Sequence, residues 1–190
     1  MVQVALSNEF VRQTTPEKLS FRGVTDATEI TEIGYYRAEA RALKSLAYYH
    51  LLDLFGKAPL VTENDPINFR GPQMERAELF TYIENELLGV LPSLKDARTN
   101  ESGRLDKAFV WAILAKMYLN SEVYTGTPRY EDCMTMCSNI IGAGYQLKLN
   151  YLDNFKADNN TSTELIFAIQ SDGVKTQNYG ATTVMCYYLL

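Results

Sequence analysis

The chain has 190 residues, of which 46% are hydrophobic and 22% charged, and its formal net charge is −5. These values are typical of one ordinary globular domain with a core of its own. A nucleic-acid partner is disfavoured, because neutralising phosphates requires clustered Lys and Arg and the sequence has no basic block. No apolar run has the length of a membrane-spanning helix, and the first ten residues lack the pattern of a signal peptide.

The first third of the chain predicts a short helix, a polar loop and a long helix. Residues 2–13 have the pattern of a short helix, and residues 14–34 that of a polar loop. The long helix is predicted over 36–55, where apolar residues recur at helical spacing. Its predicted buried stripe consists of Leu43, Leu46, Ala47, His50, Leu51, Leu54 and Phe55. Gly56 ends this helix and Pro59 discourages a restart, so an extended loop should follow.

The middle of the chain predicts three further helices, over about 75–91, 107–124 and 129–141. Each has apolar residues three and four positions apart. Asp106 is the expected N-cap of the second of these helices, since a short carboxylate accepts hydrogen bonds from the first free backbone amides.

After this point the periodicity weakens. Region 143–190 is predicted to be irregular, with one short strand at 164–169, ELIFAI.

The predicted helices at 36–55 and 107–124 resemble each other. Four positions are identical at one fixed offset: Ala40, Leu46, Ala47 and Leu51 correspond to Ala108, Leu114, Ala115 and Leu119. The later helix also reads W-x-x-L-A-x-x-Y, close to the first helix of a tetratricopeptide repeat. A small residue in the middle of such a helix lets its partner approach closely. The sequence therefore predicts a mainly α fold of two helix pairs, 36–91 and 107–142, with little β structure.

No group of residues predicts a catalytic, cofactor or metal site. His50 is the single histidine and lies on an apolar stripe, so a packing role is favoured over a ligand or base. Cys133 and Cys137 lie one helical turn apart, which suits buried packing better than a disulfide or a zinc site. Trp111 falls on the predicted stripe of its helix, which favours a core position over a sugar platform.

Polar groups elsewhere also have ordinary explanations. Glu84, Glu86 and Asp96 suggest a carboxylate pair only weakly, because they fall on a predicted polar face where solvated charge is usual. The segment 158–164, DNNTSTE, lacks the Gly and Glu positions of a calcium loop. The glycines give no phosphate-binding loop. Ligand-binding residues are therefore left unknown at this stage.

Five blocks together carry a family resemblance. They are AEARALKSLAYYHLLDLFGKAPLVTE (38–63), YIENELLGVLPSL (82–94), GRLDKAFVWAILAKMYL (103–119), IIGAGYQL (140–147) and ELIFAIQ (164–170). In this order they resemble the SusD/RagB family, the nutrient-binding outer-membrane lipoproteins of Bacteroidetes that serve polysaccharide utilisation. One departure is Ala42-Leu43-Lys44, where the family has Phe-Leu-Arg.

The resemblance implies a helical-repeat fold and a non-catalytic function. Family members capture oligosaccharides or other nutrients at the cell surface and deliver them to a TonB-dependent transporter of the SusC type. They are held on the outer membrane by a lipidated cysteine, which has no counterpart here. The resemblance thus implies that 1–190 is a single incomplete domain.

A second interpretation stays open on the same residues. A stack of helix pairs also serves as a protein-interaction scaffold with no small-molecule site. An all-helical enzyme is disfavoured, because the sequence offers no convergent set of acid and base groups.

Overall fold

The computed structural model describes residues 1–66, 68–156, 158–170 and 174. In this part of the chain the helices are α1 (Val2–Gln13), α2 (Pro16–Phe21), α3 (Ala27–Phe55), α4 (Arg76–Val90), α5 (Lys107–Leu119), α6 (Ser121–Thr125) and α7 (Tyr130–Gly142). Short 3₁₀ turns occupy Leu91–Ser93, Tyr151–Phe155 and Asn159–Thr161. The prediction of a mainly α fold is therefore confirmed.

The helices pack as two pairs with α1 added on one side. Helix α3 packs against α4, α5 packs against α7, and α1 packs against α3. Smaller contacts of α4 with α5 and α6 hold the two pairs together. The loop between α3 and α4 contains a minimal antiparallel sheet, in which β1 (Ala58–Pro59) pairs with β2 (Gln73–Met74).

The polar loop predicted over 14–34 is wrong, because most of it is helical. Thr15 caps α2 by accepting a hydrogen bond from the amide of Lys18, and Pro16 occupies the first turn, where its missing amide costs nothing. Asp26 caps α3 by accepting from Glu29 N at 2.9 Å. These segments carry little apolar periodicity, so their helical state depends on caps that a stripe search does not detect.

The most deeply buried residues of the long helix are not those of the predicted stripe. Its buried residues are Ala38, Glu39, Ala42, Lys44, Ser45, Tyr48, Tyr49 and Leu52. Tyr48 is fully buried, whereas His50 is exposed. The stripe prediction is confirmed in part, since Leu43, Leu46, Ala47 and Leu51 are half-buried and pack against the core. It missed the most deeply buried positions, because small and polar side chains occupy many of them and carry little hydrophobic signal.

Tyr48 also fixes the chain after the helix. Its hydroxyl accepts a hydrogen bond from Val61 N at 2.8 Å and donates to Val61 O at 3.1 Å. Gly56 ends α3 with φ 71°, a left-handed conformation that glycine adopts without steric cost. The exit loop is thus bound to the helix that precedes it.

The second pair begins as the sequence predicts and then departs from it. Asp106 caps α5 and accepts from Ala108 N at 2.9 Å. Helix α5 ends at Leu119 and α6 starts at Ser121, so the predicted continuous helix to residue 124 is interrupted at Asn120.

The strand predicted at 164–169 is not formed. Residues 164–170 have no strand pairing with any described residue, so apolar β-branched residues alone did not suffice without a neighbouring strand. Residues 171–173 and 175–190, including Cys186, lie outside the described part. No helix among the described residues is long and apolar enough to cross a membrane.

Candidate functional site

A polar cavity of about 740 Å³ lies between the connector that precedes α5, residues 95–106, and the segment 159–170. Its volume falls within the roughly 300–1,000 Å³ that small-molecule sites usually have. The side chains that contribute polar atoms or rings include Arg98, Asn100, Glu101, Ser102, Arg104, Asp106, Tyr145, Thr163, Phe167 and Gln170. This cavity combines ring surfaces with hydrogen-bonding groups.

Arg98 and Asp106 shape one wall of the cavity. Arg98 has φ 64°, a strained conformation for a residue with a β-carbon. Its amide donates to Asp106 Oδ2 at 2.7 Å, which compensates for part of that strain. Its guanidinium donates to Gly144 O at 2.6 Å and lies 5.6 Å from the ring centre of Tyr145. Arg98 therefore links the segment before α5 to the turn after α7.

Tyr145 presents a protonated hydroxyl to the cavity. Burial, and to a smaller extent the negative charge of Asp106, raise the pKa of its hydroxyl to about 12. At neutral pH the group is therefore a hydrogen-bond donor as well as an acceptor. This hydroxyl forms no hydrogen bond with Arg98, with Asp106 or with the described residues of the segment 159–170.

The opposite wall is held by a hydrogen bond between the segment 159–170 and the connector. Gln170 Nε2 donates to Ser102 Oγ at 2.7 Å. Gly103, next to Ser102, has φ 82°, and a β-carbon there would lie 3.2 Å from the Gln170 side chain. The ring of Phe167 packs edge-on against Phe109 of α5, with 5.1 Å between ring centres. These contacts attach the segment 164–170 to the second helix pair.

An ion pair underlies the cavity. Arg104 donates to both carboxylate oxygens of Glu39 on α3, at 2.7 and 2.5 Å. The hydrogen bonds with Glu39 raise the pKa of the Arg104 guanidinium, so the pair stays ionised. Asn100 donates to the same carboxylate at 3.2 Å and to Leu105 O at 2.6 Å. The connector is therefore fastened to the first helix pair.

A second, apolar groove of about 500 Å³ runs between α1 and the loop after β1. It is lined by Met1, Val2, Val4, Ala5, Leu6, Asn8, Glu9, Arg12, Val61, Pro66, Asn68 and Phe69. Asn8 donates to Val61 O at 2.9 Å, while its Oδ1 atom is buried without a hydrogen bond. This oxygen has no exposed surface, so a molecule in the groove would not reach it.

A buried charge cluster joins α3, α4 and the exit loop. Lys44, whose side chain is 2% exposed, forms ion pairs with Glu63 at 2.9 Å and Glu86 at 3.3 Å. Arg41 donates to the same Glu86 at 2.8 Å. Burial opposes ionisation of Lys44, but the surrounding charges and hydrogen bonds outweigh it and raise the pKa of its ammonium group. Because each charge is neutralised locally, the cluster is a structural link rather than a reactive site.

The carboxylates considered from the sequence do not form a pair on a solvated face. Glu84 accepts from the Tyr118 hydroxyl at 2.8 Å and pairs with Arg129, and Glu86 belongs to the charge cluster. Their side chains are only 14% and 18% exposed, so the expected solvated face is wrong for both. Asp96 is exposed and pairs with Lys107 at 2.6 Å.

The other residues singled out from the sequence are separate from one another. His50 is exposed on α3, with its ring 5.6 Å from that of Tyr49. Cys133 is half-buried and Cys137 is exposed, so the expected burial of both thiols is wrong for Cys137. Trp111 is half-buried on α5.

The described residues contain no group of three His, Cys, Asp or Glu side chains placed to hold a metal ion. In the segment 158–164, Glu164 accepts from Lys148 N at 3.1 Å and from Asn154 Nδ2 at 2.8 Å. Its carboxylate thus stabilises the local turn.

Sequence reasoning did not identify the cavity, although its residues were in view. Arg104 falls in the GR block and Tyr145 in the IIGAGYQL block, while Phe167 and Gln170 belong to ELIFAIQ. Each block is recognisable by itself along the sequence. The cavity arises only because three of the blocks lie next to one another in the fold.

Two sequence relatives have names that state a function or a family. The chain is 42% identical over 170 residues to the starch-binding protein SusD of Bacteroides thetaiotaomicron, covering 86% of the chain and 29% of SusD. It is 30% identical over 144 residues to a SusD-like protein of Bacteroides ovatus, covering 70% of the chain and 26% of that protein. The chain thus spans less than a third of the length of each of these relatives. No protein-family model matches the chain.

The fold is similar to that of solved structures. A SusD-like carbohydrate-binding protein from Bacteroides fragilis superposes with a TM-score of 0.69 at 20% identity, covering 88% of the chain and 31% of that protein. At this identity the likeness establishes the fold.

Proposed function

Because the chain belongs to the family of SusD-like proteins, we propose that it forms the helical part of a non-catalytic protein that captures oligosaccharides at the cell surface. The observation that carries this proposal is the 42% identity with a protein named as starch-binding, which extends over 86% of the chain. The shared helical fold supports it.

A binding role without catalysis agrees with the chemistry of the described residues. Glu84 and Glu86 each form an ion pair, with Arg129 at the start of α7 and with Arg41 on α3. A general acid or base needs a carboxyl group that can reach a substrate and exchange a proton. The half-buried carboxylates of the two helix pairs are instead used in packing.

The partner and the location belong to the same proposal. We expect the protein to deliver its ligand to a TonB-dependent transporter of the SusC type on the outer membrane, and to be attached there through a lipid anchor.

One observation favours the alternative of an interaction scaffold. Helix α7 has no fully buried residue, and its outer face carries Tyr130, Met134 and Ile141, which are 51%, 62% and 73% exposed. They recur three to four positions apart or at multiples of that spacing, as in helices that pack against another helix. Such a face suits a protein partner and does not exclude glycan binding elsewhere.

The two functions are distinguished by measuring both kinds of binding with the full chain. Affinity electrophoresis in gels containing soluble starch, laminarin or xyloglucan reports glycan capture, and co-purification reports association with a SusC-type transporter. Retarded migration in at least one polysaccharide supports the proposed function. Unchanged migration in every gel together with transporter co-purification would replace it with the scaffold.

A further inference from the structure

We propose that the polar cavity between the connector before α5 and the segment 159–170 binds a neutral oligosaccharide, with Tyr145, Ser102 and Gln170 supplying hydrogen bonds to its hydroxyls. This inference rests on the proposed glycan-binding function and assigns a site to it. The cavity volume of about 740 Å³ and its mixed lining of rings and polar side chains are the first observations.

The hydrogen-bonding capacity of the cavity matches sugar hydroxyls. A hydroxyl both donates and accepts, so it is best recognised by groups that do the same or by adjacent donors and acceptors. Tyr145 offers a protonated hydroxyl. Ser102 accepts from Gln170, which leaves its own proton and the Gln170 Oε1 atom available side by side. These groups come from three segments and face one space.

The cavity also offers apolar surface. Tyr145 and Phe167 line it and are only half-buried. Aromatic side chains contribute large ring surfaces against which the C–H side of a pyranose packs. The Arg98 guanidinium on the Tyr145 ring and the Phe109 contact of Phe167 hold both rings in position. The ring orientations are therefore set before a ligand arrives, which lowers the entropic cost of binding.

The charges of the lining favour a neutral sugar over an acidic one. Arg98 and Arg104 are balanced by Glu101 and Asp106 among the lining residues. Arg104 also donates two hydrogen bonds to the Glu39 carboxylate, so its charge is not free to pair with a ligand. A uronic acid would need an unbalanced cation, because burying a carboxylate without one is costly.

The test is isothermal titration of the full chain with maltohexaose as the neutral probe and trigalacturonate as the acidic probe. Tyr145→Phe and Gln170→Ala each remove one hydrogen-bonding group without adding bulk. Each is expected to weaken maltohexaose binding about threefold to tenfold, the loss of one neutral hydrogen bond. Tyr130→Phe and Gln146→Ala make the same chemical changes outside the cavity and should leave the affinity unchanged.

A further variant, Ser102→Tyr, fills the mouth of the cavity from an exposed position and should abolish binding while the thermal unfolding curve stays cooperative. Wild-type affinity in the three cavity variants would overturn the site but leave glycan capture standing. Binding of trigalacturonate in place of maltohexaose would overturn the neutral assignment. If the wild-type chain bound neither probe and migrated normally in every polysaccharide gel, the proposed function and this site would both be wrong.

Discussion

Arg104 in the connector before α5 forms an ion pair with Glu39 in the middle of α3 through two hydrogen bonds of 2.7 and 2.5 Å. The side chains are 24% and 10% exposed. This contact joins two of the sequence blocks that carry the family resemblance, AEAR and GR, which are far apart in the chain. The two helix pairs therefore have a fixed orientation at the place where the polar cavity opens.

Breaking this ion pair should destabilise the fold. Glu39→Gln removes the charge and replaces one of the two acceptor oxygens by an NH2 group that cannot accept from Arg104. We therefore expect a loss of about 2 kcal/mol in the free energy of unfolding. Urea denaturation followed by circular dichroism measures it. The exposed pair Lys57–Glu75, with side chains 53% and 61% exposed, supplies the control. Lys57→Ala should change the stability by less than about 0.5 kcal/mol, and an equal loss in both variants would contradict the structural importance of the buried pair.

The hydroxyl of Tyr48 should matter as much as its ring. Tyr48→Phe keeps the packing but leaves Val61 N without its acceptor and Val61 O with only the hydrogen bond from Asn8, which should cost about 1–3 kcal/mol. Differential scanning calorimetry should show a lower Tm. Tyr130→Phe, at an exposed position on α7, is the matched control and should unfold like the wild type. An unchanged Tm for Tyr48→Phe would mean that water replaces the hydroxyl.

The alanines at the matched repeat positions should tolerate little added volume. Ala115 is 9% exposed, and Ala47 is partly buried and packs against the core. Ala115→Leu and Ala47→Leu should each cost about 1–3 kcal/mol, because overpacking forces neighbouring side chains out of their preferred conformations. Ala77→Leu, on the exposed face of α4, provides the control. If chemical denaturation placed all three variants at wild-type stability, the proposed correspondence of the two helices would fail.

The charge cluster should make the fold sensitive to acid. Burial opposes ionisation of Glu86, but hydrogen bonds from Arg41 and the charge of Lys44 outweigh it and lower the pKa of Glu86 below 4.5. A carboxylate whose pKa is lower in the folded state contributes stability that is complete above its unfolded value. That contribution is lost as the pH falls through the lowered pKa.

The measurement is Tm as a function of pH from about 7 down to about 3. We expect the wild type to lose stability steeply below about pH 4.5, the ordinary value of such a carboxyl group. Glu86→Gln should be less stable at neutral pH and show a shallower decline in acid. Glu131→Gln, at an exposed position, should follow the wild-type curve. Parallel wild-type and Glu86→Gln curves would contradict a stabilising role of the ionised cluster.

The sequence was informative where packing follows a regular pattern. The helices α1, α4 and α7 and the cap Asp106 were predicted within a residue or two of their observed positions. Those predictions rest on local signals, namely apolar spacing, a glycine stop and a capping side chain. The family blocks likewise predicted the helical fold, because their order along the chain reflects the order of the helices.

Prediction failed where burial depends on the tertiary arrangement. The predicted stripe included His50 and did not include Tyr48, but α3 is covered by α1 as well as α4, so its buried residues include Ser45 and Lys44. Long-range ion pairs such as Lys44–Glu63 turn charged positions into core positions. The polar cavity is formed by segments that are distant in sequence, and no local sequence pattern predicts that they lie side by side.

The most direct test of glycan capture at this site is a crystal structure of the full chain soaked with maltohexaose. We expect sugar rings in the polar cavity, with one hydroxyl oxygen within hydrogen-bonding distance of the Tyr145 hydroxyl and another near Gln170. Crystals that bind the sugar elsewhere would contradict the assigned site, and crystals with an open cavity that bind no sugar at saturating concentration would contradict glycan capture by this chain.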